Sequence, residues 1–150
     1  MVFMVIAVLI AYAIIGCILN PKAYDEVKVG VGIIIFAAGA IKSEIPYKNG
    51  KENGIEKWYY ESGALERETP YKDGKENGIV KYYYKSGALK GEIPYKNGKQ
   101  NGIEKHYYES GSIMWEAPYK NDQLNGIQKS YYESGEIAYT AKYKNGILQR

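Results

Sequence analysis

The sequence predicts an all-β protein: tandem antiparallel β-hairpins stacked into an elongated, twisted repeat sheet, preceded by an N-terminal hydrophobic helix. Three observations carry that expectation. Gly54, Gly78, Gly102 and Gly126 stand 24 residues apart, each after an asparagine, and Gly63, Gly87, Gly111 and Gly135 keep the same spacing, each after a serine. A fixed period of this size marks a stacked array of small supersecondary units. The chain also carries 17 Tyr against 2 Phe and 5 Pro, which suits half-buried strands where the ring packs and the hydroxyl reaches water. Finally, no charged side chain occurs from Met1 to Asn20.

That first stretch, "MVFMVIAVLIAYAIIGCILN", is just long enough to span a bilayer as a helix. Residues 1–20 read either as a hydrophobic anchor or as a lipoprotein-type signal segment. "IIGC" (Ile14 to Cys17) resembles the lipobox of bacterial lipoproteins, whose cysteine receives the lipid, so Cys17 is the candidate lipidation residue. A basic residue near Met1, normal in signal peptides, is missing. Lys22 and Lys28 follow the apolar run; taken alone they place the repeats in the cytoplasm. The expected localisation is membrane-associated and bacterial, as a cell-envelope lipoprotein or a single-span anchored protein, with the side left open. Cys17 is the only cysteine, which excludes an internal disulfide. Residues 21–29 serve as a linker. The second apolar run, Val29 to Ile41, is short for a span. It fits the repeat, or else it forms a short second membrane segment.

Five 24-residue units begin at Gly30, Gly54, Gly78, Gly102 and Gly126 and fill residues 30–150. In the second, "GIEKWYY" (Gly54 to Tyr60) is the first strand, "ESG" (Glu61 to Gly63) the turn and "ALERETPYK" (Ala64 to Lys72) the second strand. "DGKEN" (Asp73 to Asn77) returns the chain to the next unit. Ser-Gly, Asn-Gly and Asp-Gly pairs supply the positive φ that such turns demand. With Gly63 left-handed, Tyr60 pairs with Ala64. Period-2 alternation then gathers Ile55, Tyr59, Leu65, Thr69 and Tyr71 on one stacking face, with Ile79, Tyr83, Leu89, Ile93 and Tyr95 as the next unit's set. Each large side chain contributes about 1.5–3 kcal/mol if fully covered. This register also puts Lys57, Lys81, Lys105 and Lys129 on that face, their stems along the Tyr rings. A shift of one residue would set Lys57 opposite Glu68, Lys81 opposite Glu92 and Lys105 opposite Glu116. It would also scatter the apolar set over both faces, so the first register is the expectation.

"YKNGKENGIEKWYYESG" (Tyr47 to Gly63) resembles the MORN repeat family, and more closely its variant in bacterial YwqK-type proteins, which are labelled toxin–antitoxin antitoxins. Complete copies of Tyr-Lys-Asn/Asp-Gly-Lys-x-Asn-Gly-Ile start at Tyr47, Tyr71 and Tyr95; a fourth, from Tyr119, departs at Asp122, Gln123 and Leu124. The resemblance implies stacked hairpins with a groove along one side. It also implies an interaction scaffold rather than a catalyst, with a protein partner that in an antitoxin would be a toxin. In the first unit Ile33 to Ala38 replace the Lys-x-Tyr-Tyr-Glu-Ser segment, which suits either a capping repeat or a partly membrane-apposed one.

Residues able to do chemistry are sparse. "GVGIIIFAAGAIKS" (Gly30 to Ser43) lacks the Gly-Lys-Ser/Thr of a phosphate loop. His106 is the only histidine and has no clustered cysteines or acids, so no metal site is expected. Glu44, Glu68, Glu92 and Glu116 recur once per unit, as surface charges facing lysines rather than as an acid–base pair. The net charge of +3 permits contact with anions without requiring it. No cofactor, small-molecule substrate or nucleic-acid partner is expected.

Three slots do not repeat. They read Ile34, Trp58, Tyr82, His106, Ser130; Ser43, Arg67, Gly91, Trp115, Tyr139; and Lys42, Glu66, Lys90, Met114, Ala138. Trp58, Arg67, Tyr82, Met114 and Trp115 are residue types that anchor partners, and they are the candidate partner-binding residues. The expected function is a non-catalytic, membrane-tethered scaffold for protein–protein interaction. The alternative is a module for anionic lipid or a membrane surface, through Lys48, Lys51, Lys72, Lys75, Lys96 and Lys99.

Overall fold

The computed structural model describes the backbone of residues 29–35 and 41–150 and the side chains of residues 41–150. The N-terminal helix, the anchor or signal segment of residues 1–20, the linker up to residue 28 and Cys17 lie outside the described residues.

The described chain is one open sheet of fifteen antiparallel strands, three to a unit. The first unit holds β1 (Val29–Ile35), β2 (Ile41–Lys48) and β3 (Lys51–Glu52). The second holds β4 (Gly54–Tyr59), β5 (Leu65–Lys72) and β6 (Lys75–Glu76). The third holds β7 (Gly78–Tyr83), β8 (Leu89–Lys96) and β9 (Lys99–Gln100). The fourth holds β10 (Gly102–Tyr107), β11 (Ile113–Lys120) and β12 (Gln123–Leu124). The fifth holds β13 (Gly126–Tyr131), β14 (Ile137–Lys144) and β15 (Ile147–Leu148). The first strand of each unit, seven residues in β1 and six in the others, forms the hairpin with the eight-residue strand, and the two-residue strand folds back onto the eight-residue one. Residues 29–35 are a strand paired along β2.

Both turns follow from their residues. Asn49 and Gly50 have φ of 54° and 72°, the left-handed pair that a two-residue hairpin of matching twist requires. Asp73-Gly74, Asn97-Gly98 and Asn145-Gly146 repeat this. At the other end Gly63 has φ 84°, its N–H donates to Tyr60 O, and Tyr60 N–H donates to Ala64 O at 2.8 Å. The expected Tyr60–Ala64 pair is thus formed.

The preferred register holds only next to that turn. Tyr59 faces Leu65, but Trp58 faces Arg67, because Glu66 is an extra residue in a β-bulge. Beyond the bulge every pair moves by one: Lys57 faces Glu68, Glu56 faces Thr69 and Ile55 faces Pro70. The same irregularity recurs in every unit. A bulge restores to the far part of the hairpin the pairing that strict alternation from the turn would forbid. The expected stacking set is therefore split. Ile55, Tyr59 and Leu65 lie on one face, here the back. Thr69 and Tyr71 lie on the front, with Glu56, Trp58 and Arg67. Ile55, Ile79, Ile103 and Ile127 are not core residues; each is 50–52% exposed.

What core there is runs along the middle of the front face. Glu56, Thr69, Val80, Glu104, Ala117 and Ala141 are buried there, and Ser43 is buried in the neighbouring row beside Trp58. A single sheet has no second layer, so this row is covered by longer side chains of flanking rows on the same face. Neighbouring units are also tied by hydrogen bonds one period apart. Tyr60, Tyr84 and Tyr108 hydroxyls donate to the carbonyls of Tyr83, Tyr107 and Tyr131 at 2.7–2.9 Å. Gly74 and Gly98 N–H groups donate to Glu52 and Glu76 carbonyls.

Candidate functional site

The bulge decides where the variable letters meet. Beyond it, Trp58 pairs with Arg67 inside one hairpin and with Ser43 of the unit before. Arg67 pairs with Tyr82, Tyr82 with Gly91, Gly91 with His106 and His106 with Trp115. Trp115 pairs with Ser130, and Ser130 with Tyr139. Two slots that look unrelated in sequence thus alternate in one unbroken row across the front face. The third slot is the bulge itself: Lys42, Glu66, Lys90, Met114 and Ala138 are the extra residues. All five candidate residues, Trp58, Arg67, Tyr82, Met114 and Trp115, therefore lie in this row or on its rim.

Adjacent strands set these side chains one strand spacing apart, about 4.8 Å, which favours stacking. The Arg67 guanidinium carbon lies 5.5 Å from the Trp58 ring centroid and Lys42 Nζ 5.9 Å from it, both within cation–π range. Arg67 Nη2 donates to Glu56 Oε2 at 3.1 Å, and that carboxylate is only 5% exposed as a residue. A cleft of about 240 Å³ is lined by Trp58, Glu66, Arg67 and Tyr82. Two units on, His106 and Trp115 are parallel, with centroids 4.3 Å apart. His106 Nε2 is 2.8 Å from Glu104 Oε1, and Gln100 Nε2 donates to Glu104 Oε2. Gly91, between Tyr82 and His106, leaves room for the imidazole; a Cβ there would lie 3.2 Å from two of its ring atoms.

The site also stores unmet polarity. Trp58 Nε1, Arg67 Nε, Ser43 Oγ and Thr69 Oγ1 are buried without a hydrogen-bond partner. Burial, then the Glu56, Glu76 and Glu52 carboxylates, push the Tyr71 hydroxyl up to about 12, so it stays a neutral donor beside them.

The back face is internally matched. Glu44, Lys57, Glu68, Lys81, Glu92, Lys105, Glu116 and Lys129 form a row of alternating charge, each facing the next. Tyr59, Tyr83, Tyr107 and Tyr131 hydroxyls donate to Glu44, Glu68, Glu92 and Glu116 of the preceding unit at 2.9–3.2 Å. At Glu116 burial favours the acid form, but hydrogen bonds from Tyr131 and Lys129 outweigh it and hold the carboxyl below its usual range. Among the described residues no group of three His, Cys, Asp or Glu is placed to hold a metal ion. The front row is built to stack on planar groups and hydrogen-bond at their edges.

The family model for the MORN repeat variant matches residues 52–73, 76–97, 100–121 and 124–145, more than half of the chain. The chain belongs to the MORN repeat family. No curated protein matches it. The four matched stretches are out of phase with the hairpins. Each starts on the short strand of one MORN unit and ends at the Asn-Gly-type turn of the next. The first hairpin, β1 with β2, precedes them. MORN repeats are consistent with a non-catalytic repeat scaffold for protein or membrane binding.

Proposed function

We propose that this chain is a non-enzymatic MORN scaffold that holds a protein partner on its front row, tethered to a membrane by residues 1–20. The observation that carries this is the meeting of all three non-repeating slots in one row on one face. Positions that architecture repeats lie in other rows, so this row is free to be matched to a partner. Aromatic and Arg side chains in a part-buried row are typical energetic anchors. By family resemblance the partner is a toxin-like protein and the chain an antitoxin or immunity-type protein of a bacterium, exposed either as a lipoprotein acylated at Cys17 or on a single-span anchor. Replacing Trp58, Tyr82 and Trp115 together by Ser tests the reading. Undiminished partner capture in a pull-down rejects it. Mass spectrometry of the mature N-terminus separates acylation at Cys17 from an uncleaved anchor.

A second reading, binding to anionic lipid, draws on Lys48, Lys51, Lys72, Lys75, Lys96 and Lys99, which all stand exposed along one edge of the sheet. Cosedimentation of residues 29–150 with vesicles discriminates. Binding that ignores anionic lipid content and salt removes the lipid reading.

A further inference from the structure

The back face carries a surface that the front-row reading does not use. Ile55, Ile79, Ile103 and Ile127, each about half exposed, form a stripe with Pro70, Pro94 and Pro118, the residues they face across the hairpins. Between Ile79 and Ile103 the stripe is dented; the dent, about 320 Å³, is lined by these two with Glu92, Lys105, Pro94 and Gly102. Gly102 fits there because it has no side chain; a Cβ would lie 2.7 Å from Pro94 Cγ.

The two flanks of the stripe differ in charge. On one side runs the alternating Glu/Lys row, which neutralises itself. On the other runs the turn edge, where Lys48 faces Lys51, Lys72 faces Lys75 and Lys96 faces Lys99. These like-charged pairs repel. The salt bridges among the described residues, Arg67–Glu56, His106–Glu104 and Lys129–Glu116, include none of them. The stripe thus has one bank of alternating charge and one bank in which lysines predominate, with Asp73 set among Lys51, Lys72 and Lys75.

Spacing limits the occupant. The Ile–Pro pattern repeats once per unit, two strand spacings apart, or about 9.6 Å. Seven residues of α-helix advance about 10.5 Å, so a helix laid along the stripe offers one apolar side chain per unit, with a heptad's regularity. A β-strand peptide, at about 3.4 Å per residue, covers that distance in about three residues and meets successive units on alternating faces. A polyproline II segment advances about 9.3 Å in about three residues and keeps one face to the stripe, so helical circular dichroism induced in the bound peptide is what separates the two, and its absence overturns the inference.

We infer that the back face docks an amphipathic α-helix of a partner protein, apolar at every seventh residue and acidic on the flank beside the lysine edge. Apolar side chains pack along the stripe between Ile55 and Ile127, and the acidic flank relieves the Lys72–Lys75 and Lys96–Lys99 pairs. The front row has no part in this contact, so the two surfaces fail independently.

The test is fluorescence anisotropy of a labelled 28-residue peptide, with Leu at every seventh position and Glu along one flank, titrated with the full chain. The expected result is saturable binding with helical circular dichroism induced in the peptide. Ile79→Asp with Ile103→Asp weakens it at least tenfold, as does Lys72→Glu with Lys96→Glu, while Trp58→Ser with Trp115→Ser leaves it unchanged. Because the Asp pair risks folding, Ile79→Ala with Ile103→Ala is run beside it; a threefold or greater loss with an unchanged melting curve still supports the inference. No binding, equal binding of the same peptide with Lys in place of Glu, or indifference to the isoleucine changes overturns it. A dimer in sedimentation that the isoleucine changes dissociate assigns the face to a second copy instead. Anionic vesicles that bind the wild-type chain but not the Ile variants assign it to lipid. Either result also overturns the inference.

Discussion

The imidazole of His106 lies parallel to the indole of Trp115, 4.3 Å between centroids and 10° between planes. It is held from beneath by Gly91 and at its edge by Glu104. Three residues from three strands thus fix one ring, and the absence of a side chain at position 91 is part of the fit.

Gly91→Ala tests that fit. Its Cβ would meet the imidazole at 3.2 Å and Lys105 O at 3.4 Å. The ring has to tilt off Trp115, at a cost of about 1–2 kcal/mol, as for other overpacking changes. The expected outcome is a lower Tm and a changed near-ultraviolet signal from tryptophan. Adding His106→Ala to Gly91→Ala should recover part of the loss, whereas two independent sites would simply add.

Asp122 stands where the other units place glycine, with φ 67°. Its Oδ1 accepts from Gln100 N–H at 2.7 Å, and its own N–H donates to Gln100 O. Left-handed strain at a non-glycine residue costs about 1 kcal/mol or more, and one hydrogen bond returns about as much. Asp122→Gly removes both, so denaturant unfolding should show a change within about 0.5 kcal/mol. Asp122→Ala keeps the strain and loses the bond, and should cost about 1–2 kcal/mol.

The second and third units differ at one buried pair. Glu56 and Thr69 in the second correspond to Val80 and Ile93 in the third. Glu56 is buried against Arg67, and Thr69 Oγ1 has no partner. Exchanging a buried ion pair for apolar packing is often neutral or stabilising. Glu56→Val with Thr69→Ile and Arg67→Met removes both charges of the pair and should therefore hold or raise the Tm, while Glu56→Ala alone lowers it by leaving a void and an unpaired Arg67.

Alkali should unfold the chain through its tyrosines. The Tyr83 and Tyr107 hydroxyls are pushed up to about 12, first by burial and then by hydrogen bonds to Glu68 and Glu92. Their ordinary value is 10.0. The fold favours the neutral phenol, so its contribution is whole below pH 10 and is lost as pH rises from 10 towards 12. Phenolate absorbance should lag in the native state and jump on unfolding. Tyr83→Phe with Tyr107→Phe should cost about 1 kcal/mol per lost bond near neutrality and flatten the alkaline loss.

Much of the fold was legible in the residues. Asn-Gly, Asp-Gly and Ser-Gly placed both turns, because only positive φ lets the chain reverse there, and Tyr60 meets Ala64 as that geometry demands. The face assignment was not legible. Parity counted from the turn put Ile55 in the core, but Glu66 spends one residue without a partner, and Glu56 takes the buried place instead. The Lys57–Glu68, Lys81–Glu92 and Lys105–Glu116 pairs were visible as the alternative register, and they formed. The bulge lets both registers coexist in one hairpin. Trp58, Arg67, Tyr82, Met114 and Trp115 could be singled out because they broke the repeat. That they converge could not, since His106 and Trp115 meet only after the bulge has shifted one strand against the other.

By itself, then, the sequence determined what is local: the period, the turn at each glycine and the all-β class, because backbone sterics act within a few residues. Only the tertiary structure decided which face each side chain takes and which variable positions become neighbours. Those depend on a one-residue offset between strands, and that offset is chosen by the pairing of the whole hairpin with the units on either side.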